Sequence, residues 1–400
     1  MLKFTVFQNL FFGLTLINSL VLIALFDETS IDTHLFSISI PTYIAAVLSA
    51  IISYVVVPKL ATCKDDILKI KTVFSSVFTL FVGTSVVLLG SQFVLFGYIF
   101  SENVLYLGNV EIVDKIRLNC TIAALLMICN SIQMAYLYYK ELYLTAILIN
   151  IFAVILQLAI VFLFSSSITI VSFALMVSQC LIFFIFLNYT RDCFAVAFQR
   201  YILQDLLSSS SSLLVSSGPA KFDIIQDRTL LSNTGGILYL HYARLACDTI
   251  ATSITKAFSV VQLTRLSKHS TEKFDNISYL MLIVVTSLFY FSVYFVAGYI
   301  DKVNIYALGR YLEIYKLLYP FLISAVSSTF LVNYFYSKHK FWPVSLVSAG
   351  LSMVFIGLKQ YFFSGELIYI IPIFLSLRAF INSLLLFFLL TTSNIKTFSD

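Results

Sequence analysis

Apolar residues run for about 20 positions at a time along this chain, and polar residues gather in short clusters between the runs. A helix rises about 1.5 Å per residue, so one such run crosses the about 30 Å of bilayer hydrocarbon. Twelve segments read this way, near 4–26, 36–57, 72–98, 118–139, 142–164, 168–190, 206–227, 237–263, 277–299, 314–336, 341–363 and 367–391. Continuous runs favour helices over a barrel, whose strands alternate. The expected fold class is an all-α polytopic membrane protein with about 12 transmembrane helices. The first run, Phe4 to Phe26, follows a single lysine and has no small-x-small cleavage pattern, so it is expected to be a retained span.

Composition agrees: 60% of the residues are hydrophobic and 11% charged, with a mean hydropathy of +0.96, which excludes a water-soluble domain. The six cysteines (Cys63, Cys120, Cys129, Cys180, Cys193, Cys247) form no CxxC or Cys/His cluster and read as packing residues. The histidines, His34, His241, His269 and His339, are equally scattered, so neither a metal nor another cofactor is expected.

Lysine and arginine concentrate on the cytoplasmic side of membrane proteins. Lys59, Lys64, Lys69, Lys71, Lys140, Arg191, Arg200, Arg265, Lys268, Lys273, Lys338, Lys340 and Lys396 fall on one side of the twelve-span arrangement. The other side holds Asp27, Glu28, Asp32, Glu102, Glu111 and Asp114, offset in part by Lys115 and Arg117, and later Asp301, Lys302, Arg310 and Glu313. Both termini are therefore expected in the cytoplasm, and the net charge of +5 follows from this bias without a nucleic-acid partner.

A polar amphipathic stretch from Arg191 to Gln204 divides six spans from six, giving expected lobes 1–198 and 199–400. Ile51 to Lys64 and Thr255 to Lys268 share a valine run, a basic residue and a leucine, which suggests duplication of the kind found in transporters. The connections are too short for a nucleotide-binding unit, and no GxxxxGK[ST] or GxGxxG pattern occurs. Transport by such a chain uses a gradient or runs downhill, with an unidentified coupling ion.

Charge is uneven between the halves. Lys221, Asp223, Asp227, Arg228, Arg244, Asp248, Lys256, Lys316, Lys359 and Arg378 all interrupt apolar runs after Phe198. An intramembrane charge costs about 2.5 to 3.5 kcal/mol on insertion scales, so it turns toward protein or water and marks a substrate path. The seventh segment, with its serine run Ser208 to Ser212 and Ser216-Ser217-Gly218-Pro219, suits a polar lining and a kink better than lipid. Lys221 and Arg228, seven apart, project within about 20° of each other, beside the i,i+4 pair Asp223 and Asp227. Either this stripe attracts an anion or Asp227 and Arg228 are solvated at the interface. Arg244 and Asp248 are also i,i+4, and Lys256 has no opposite charge at i±3 or i±4. Arg244 is the first candidate for phosphate, since a guanidinium stays charged when desolvated and binds oxygens bidentately; an interhelix ion pair is the alternative. Lys316 and Lys359 sit near helix ends where they can snorkel, whereas Arg378, in LSLRAFINSL, lies deeper. The first half offers uncharged Gln8, Asn9, Asn18, Asn130, Gln133, Asn150, Gln157 and Gln179, expected to join helices.

Phe26 to Lys59, FDETSIDTHLFSISIPTYIAAVLSAIISYVVVPK, resembles the first loop and second span of lipid II flippases through Asp32, Pro41, Pro58 and Lys59. Asp227 to Lys268 is similar to their seventh-to-eighth-span signature through Asp227, Gly235-Gly236, Tyr242-Ala243-Arg244-Leu245 and Arg265-Leu266-Ser267. On these motifs, covering about 75 residues, the chain resembles the multidrug/oligosaccharidyl-lipid/polysaccharide (MOP) flippase superfamily. The resemblance implies two six-helix lobes in a V around a central cavity, no enzymatic activity, and residence in the cell inner (plasma) membrane. It also implies a polyprenyl-diphosphate-linked oligosaccharide as substrate, with membrane lipid and other polysaccharide-assembly proteins as partners. Arg244, Lys256, Lys221, Arg228 and Arg378 would face the diphosphate, with Asp223, Asp227 and Asp248 as charge partners. Lipid II flippases carry arginines in the first span, where this chain has an uncharged Phe11 to Leu25, and charges in the second, where it has Ala45 to Ala50. They also have two further spans, so twelve spans resemble the O-antigen and capsule repeat-unit flippases. The alternatives are a cation-coupled multidrug exporter, which needs an acidic cavity the first six spans lack, and a glycan polymerase or ligase, which needs a large external loop.

Overall fold

The computed structural model describes residues 2–61, 63, 66–99, 110–194, 200–232, 236–268, 276–302, 309–337, 341–361 and 367–396. Its elements are helices α1 (Leu2–Leu25), α2 (Glu28–Ser37), α3 (Ser39–Ala61), α4 (Ile67–Ile99), α5 (Val110–Tyr139), α6 (Tyr143–Leu163) and α7 (Thr169–Thr190), a 3-10 turn (Arg191–Cys193), then α8 (Arg200–Leu231), α9 (Ile237–Lys268), α10 (Asn276–Lys302), α11 (Gly309–Leu317), α12 (Tyr319–Ser337), α13 (Phe341–Tyr361) and α14 (Leu367–Lys396). Among the described residues eight helices are long and apolar enough to cross a membrane, or ten if the bent pairs α2/α3 and α11/α12 each count as one span. The protein is an all-α, multi-pass membrane protein. The two expected spans not among them are α8 and α9, the helices with the dense charge.

Both bends have a proline cause. α2 and α3 meet at 48° around Ile38, and α11 and α12 at 45° around Leu318. Pro41 and Pro320 lie in the first turn after each break, where a proline is tolerated; an unbroken helix would drive each ring into the carbonyl four residues back. A break at membrane depth frees carbonyls that lipid cannot satisfy, so neighbouring helices must supply donors. Arg228 Nη1 donates to the Leu35 carbonyl at 2.7 Å and to Ser39 Oγ at 3.1 Å. At the other break Ser376 Oγ donates to the Leu317 carbonyl at 2.6 Å.

Two compact units are resolved, 1–235 and 236–400. In the first, α5 packs against α3, α4 and α7, with Ile51, Ile52, Phe74, Val77, Ile128 and Ile132 in its core. α8 packs on α3, α4 and α2, so this packing division falls after Gly235, whereas the sequence pattern divides the chain at 198/199. In the second unit α12 packs against α14, α9 and α10, and Leu331, Phe335, Val344 and Leu386 form a smaller core. Whole faces of other helices, such as Leu280, Val284, Leu288, Phe295 and Tyr299 of α10, remain exposed, as lipid-facing surfaces require.

The acidic stretch read as an outer loop is helical instead. Asp27 is the N-cap of α2: its carboxylate accepts Ser30 N at 3.0 Å and Ser30 Oγ at 2.7 Å. These bonds, the hydroxyl's first, hold the Asp27 carboxyl below its usual range. A depressed folded value stabilises the helix above the ordinary carboxylate pKa and is lost as pH falls through the lowered one. Asp27→Ala should therefore cost about 1 kcal/mol at neutral pH, with a deficit that shrinks in acid; thermal unfolding in detergent at two pH values measures both.

Candidate functional site

The charges predicted to matter fall into two groups, one in each unit. In the first unit, α8 runs on through Pro219, and Tyr43 of α3 donates its hydroxyl to the Gly218 carbonyl at 3.2 Å, beside an edge contact between Tyr43 and Phe222. One turn later Asp223, Asp227 and Arg228 are all buried, at 0%, 1% and 8% exposure, and Lys221 is half-buried. The solvated-interface reading of Asp227 and Arg228 is thus overturned. Arg228 is turned onto the α2/α3 break, so its guanidinium holds backbone there. Asp32 and His34 on α2 are buried as well. The first six spans therefore do contain a buried carboxylate, contrary to the sequence expectation, because α2 starts at Glu28 and carries Asp32 into the protein.

In the second unit α9 places Arg244 about 10 Å along from its start. Arg244 Nε lies 3.7 Å from Asp248 Oδ2, and the two side chains are 14% and 51% exposed. The i,i+4 neutralisation is present, as an ion pair too long for a hydrogen bond. The guanidinium also sits 5.5 Å from the centre of the Phe321 ring, within cation–π range. Backing this helix are the fully buried Ala243 and Cys247. A guanidinium beside a partly exposed carboxylate and an aromatic ring presents the planar fork that engages oxyanions bidentately.

The side chains of 256–268, and with them Lys256 and the exit Arg265-Leu266-Ser267, lie outside the described residues, as does Gly235. Arg378 is half-buried on α14, and Asn382 one turn on accepts Ser348 Oγ from α13 at 3.2 Å. Lys316 is exposed, with its ammonium 5.5 Å from the Tyr294 ring. Lys359 is not: it is 3% exposed in the last turn of α13, where a helix C-terminus favours a cation. Arg117, read as an outer-loop residue, is also buried at 5% exposure, because α5 begins two turns earlier at Val110. It donates to Asp114 Oδ1 at 3.0 Å and to the Gln92 carbonyl at 3.3 Å. The spacing of Asp114 and Arg117 was the available signal.

Several first-half amides join helices as expected. Gln133 Nε2 donates to Thr190 Oγ1 at 3.3 Å, and Asn130 Nδ2 to Gln179 Oε1 at 3.0 Å, both between α5 and α7. The six cysteines are unpaired, and among the described residues no three His, Cys, Asp or Glu side chains are grouped to hold a metal ion.

No protein-family model and no curated protein matches the chain. Solved structures do. A lipid II flippase MurJ in an inward closed conformation superposes with a TM-score of 0.75 at 16% identity, covering 98% of this chain and 88% of that one. An inward-facing multidrug resistance MATE family transporter of the MOP superfamily gives 0.66 at 16% identity over 99% and 96%. A MATE crystal structure in the straight conformation gives 0.61 at 14% identity over 99% and 95%. The chain therefore has the fold of these solved structures, an architecture that the MurJ lipid II flippase and the MATE transporters share.

Proposed function

We propose that the protein is a flippase that moves a polyprenyl-diphosphate-linked oligosaccharide, a surface-polysaccharide repeat unit or peptidoglycan precursor, from the cytoplasmic to the outer leaflet of the inner membrane by alternating access. Arg244 carries the reading: a guanidinium on a charge-bearing helix, beside the half-exposed carboxylate of Asp248 and the ring of Phe321. A diphosphate bearing sugars cannot enter hydrocarbon unaided, and such a group replaces part of its hydration. The distribution of lysine and arginine supports cytoplasmic termini, and other polysaccharide-assembly proteins are the expected partners.

A second reading, a cation-coupled multidrug exporter, is favoured by the buried Asp32 and by the likeness to MATE transporters. Deleting the gene separates the two. The flippase reading expects a lipid-linked repeat unit to accumulate on the cytoplasmic leaflet, measured by leaflet-selective labelling. An unchanged distribution together with raised sensitivity to cationic drugs would establish the exporter.

A further inference from the structure

The first unit contains a cavity of about 400 Å³ that no charged side chain lines. Its polar wall comes from Thr42 and Ser49 of α3, Asn130 and Ser131 of α5, Asn150 of α6 and Gln179 of α7. Asn130 is 6% exposed, and its amide orientation is fixed by its partners: Nδ2 donates to the Gln179 backbone carbonyl at 3.1 Å and to Gln179 Oε1 at 3.0 Å. Its Oδ1 is buried with no hydrogen-bond partner. Such an orphaned carbonyl costs about 1–3 kcal/mol, which a donor entering the cavity would recover.

The neighbouring groups carry both polarities. Thr42 Oγ1 donates to the Ile38 carbonyl at 2.7 Å and Ser131 Oγ to the Met127 carbonyl at 2.8 Å. Asn150 Nδ2 donates to the Ala146 carbonyl at 2.7 Å. The hydroxyl hydrogens are engaged by protein, whereas the amide nitrogens of Asn150 and Gln179 each carry two hydrogens, so the wall offers donors beside the acceptor oxygen of Asn130. Ala45, Ala46 and Phe186 supply apolar wall beside it. An uncharged wall of mixed acceptors and donors suits a neutral, hydroxyl-rich molecule, whose groups both donate and accept. It suits a diphosphate poorly, for want of a cation, and a drug cation poorly, for want of a countercharge.

We infer that this cavity is a subsite for a neutral sugar of the lipid-linked headgroup, taken by its hydroxyl and amide hydrogens on Asn130 Oδ1. The inference rests on the flippase reading and adds where the uncharged part of the substrate is recognised. The purified protein in nanodiscs is tested for equilibrium affinity with three probes: a polyprenyl diphosphate bearing one N-acetylhexosamine, the bare polyprenyl diphosphate, and tetraphenylphosphonium. The wild type should bind the glycosylated lipid about tenfold more tightly than the bare one, the worth of one or two neutral hydrogen bonds. Asn130→Leu should erase that preference while leaving the affinity for the bare lipid unchanged. Ala46→Leu, which fills the cavity without touching a hydrogen bond, should do the same and covers the case in which Asn130→Leu misfolds. Equal affinity for both lipids in the wild type, a preference that survives both variants, or loss of tetraphenylphosphonium binding on substitution overturns the inference. Binding of both lipids without preference removes the subsite alone, whereas binding of neither lipid removes the flippase reading with it.

Discussion

Arg244→Ala should lower flipping of a lipid-linked glycan by about 10- to 150-fold at matched expression, since charge-assisted hydrogen bonds to an oxyanion are worth about 1.5–3 kcal/mol. Arg244→Lys should recover only part, because an ammonium restores the charge but not the planar fork. The competing role is structural: Arg244 Nε stands 3.7 Å from Asp248 Oδ2, and the arginine would then serve to neutralise that carboxylate. A double substitution distinguishes them. If Arg244 binds diphosphate, Arg244→Gln with Asp248→Asn stays as inactive as the single variant, because the cation is still missing. If the pair only balances itself, removing both members restores transport. Reconstituted vesicles with a fluorescent lipid-linked glycan give the rates, and size-exclusion profiles show that the variants are folded.

Arg228→Met should be the most destabilising single change among the charged residues of α8, at about 3–5 kcal/mol. It withdraws the charged donor from the Leu35 carbonyl at the α2/α3 break, leaving only the neutral Ser39 Oγ bond there, and from Ser39 Oγ itself. It also removes a cation from a helix that buries Asp223 and Asp227. Ser39→Ala touches the same break from the other side and should cost only about 1 kcal/mol, since the Leu35 carbonyl keeps Arg228. Thermal unfolding in detergent measures both. A wild-type melting temperature for Arg228→Met would mean that the break is held by other groups.

Helix existence was legible wherever an apolar run was long enough, as in α4, α6, α7 and α10, because lipid leaves a spanning backbone no alternative to the helix. The α8 and α9 segments were legible as unusual for the same reason: Ser208 to Ser212 and the charges around Arg244 are costly against lipid. Helix ends were less so. α2 and the first two turns of α5 are polar enough to read as loop, and their helicity depends on the Asp27 cap in one case and the Asp114–Arg117 pairing in the other. That is why Asp32 and Arg117, assigned from sequence to an aqueous face, are buried.

For the candidate site, residue type pointed to Arg244 and Arg228 equally, since periodicity places both on charged helices. Their environments differ. Arg228 meets a carbonyl 193 positions away in sequence, exposed by a break that Pro41 imposes, whereas Arg244 meets a carboxylate one turn along its own helix. The i,i+4 pair is a local fact that helix geometry alone predicts, while the Leu35 contact depends on which helix packs against α8. In the same way Asn130 and Gln179 were visible as intramembrane amides, but only packing left one oxygen of Asn130 without a donor, on the wall of an uncharged cavity. The sequence by itself determined that this is a multi-span helical membrane protein whose charge collects on two helices, because transfer from water to lipid acts residue by residue. Only the tertiary structure decided which charges hold backbone, which are reachable and which polar atoms are left unsatisfied, because those depend on donors and acceptors from helices distant in the chain.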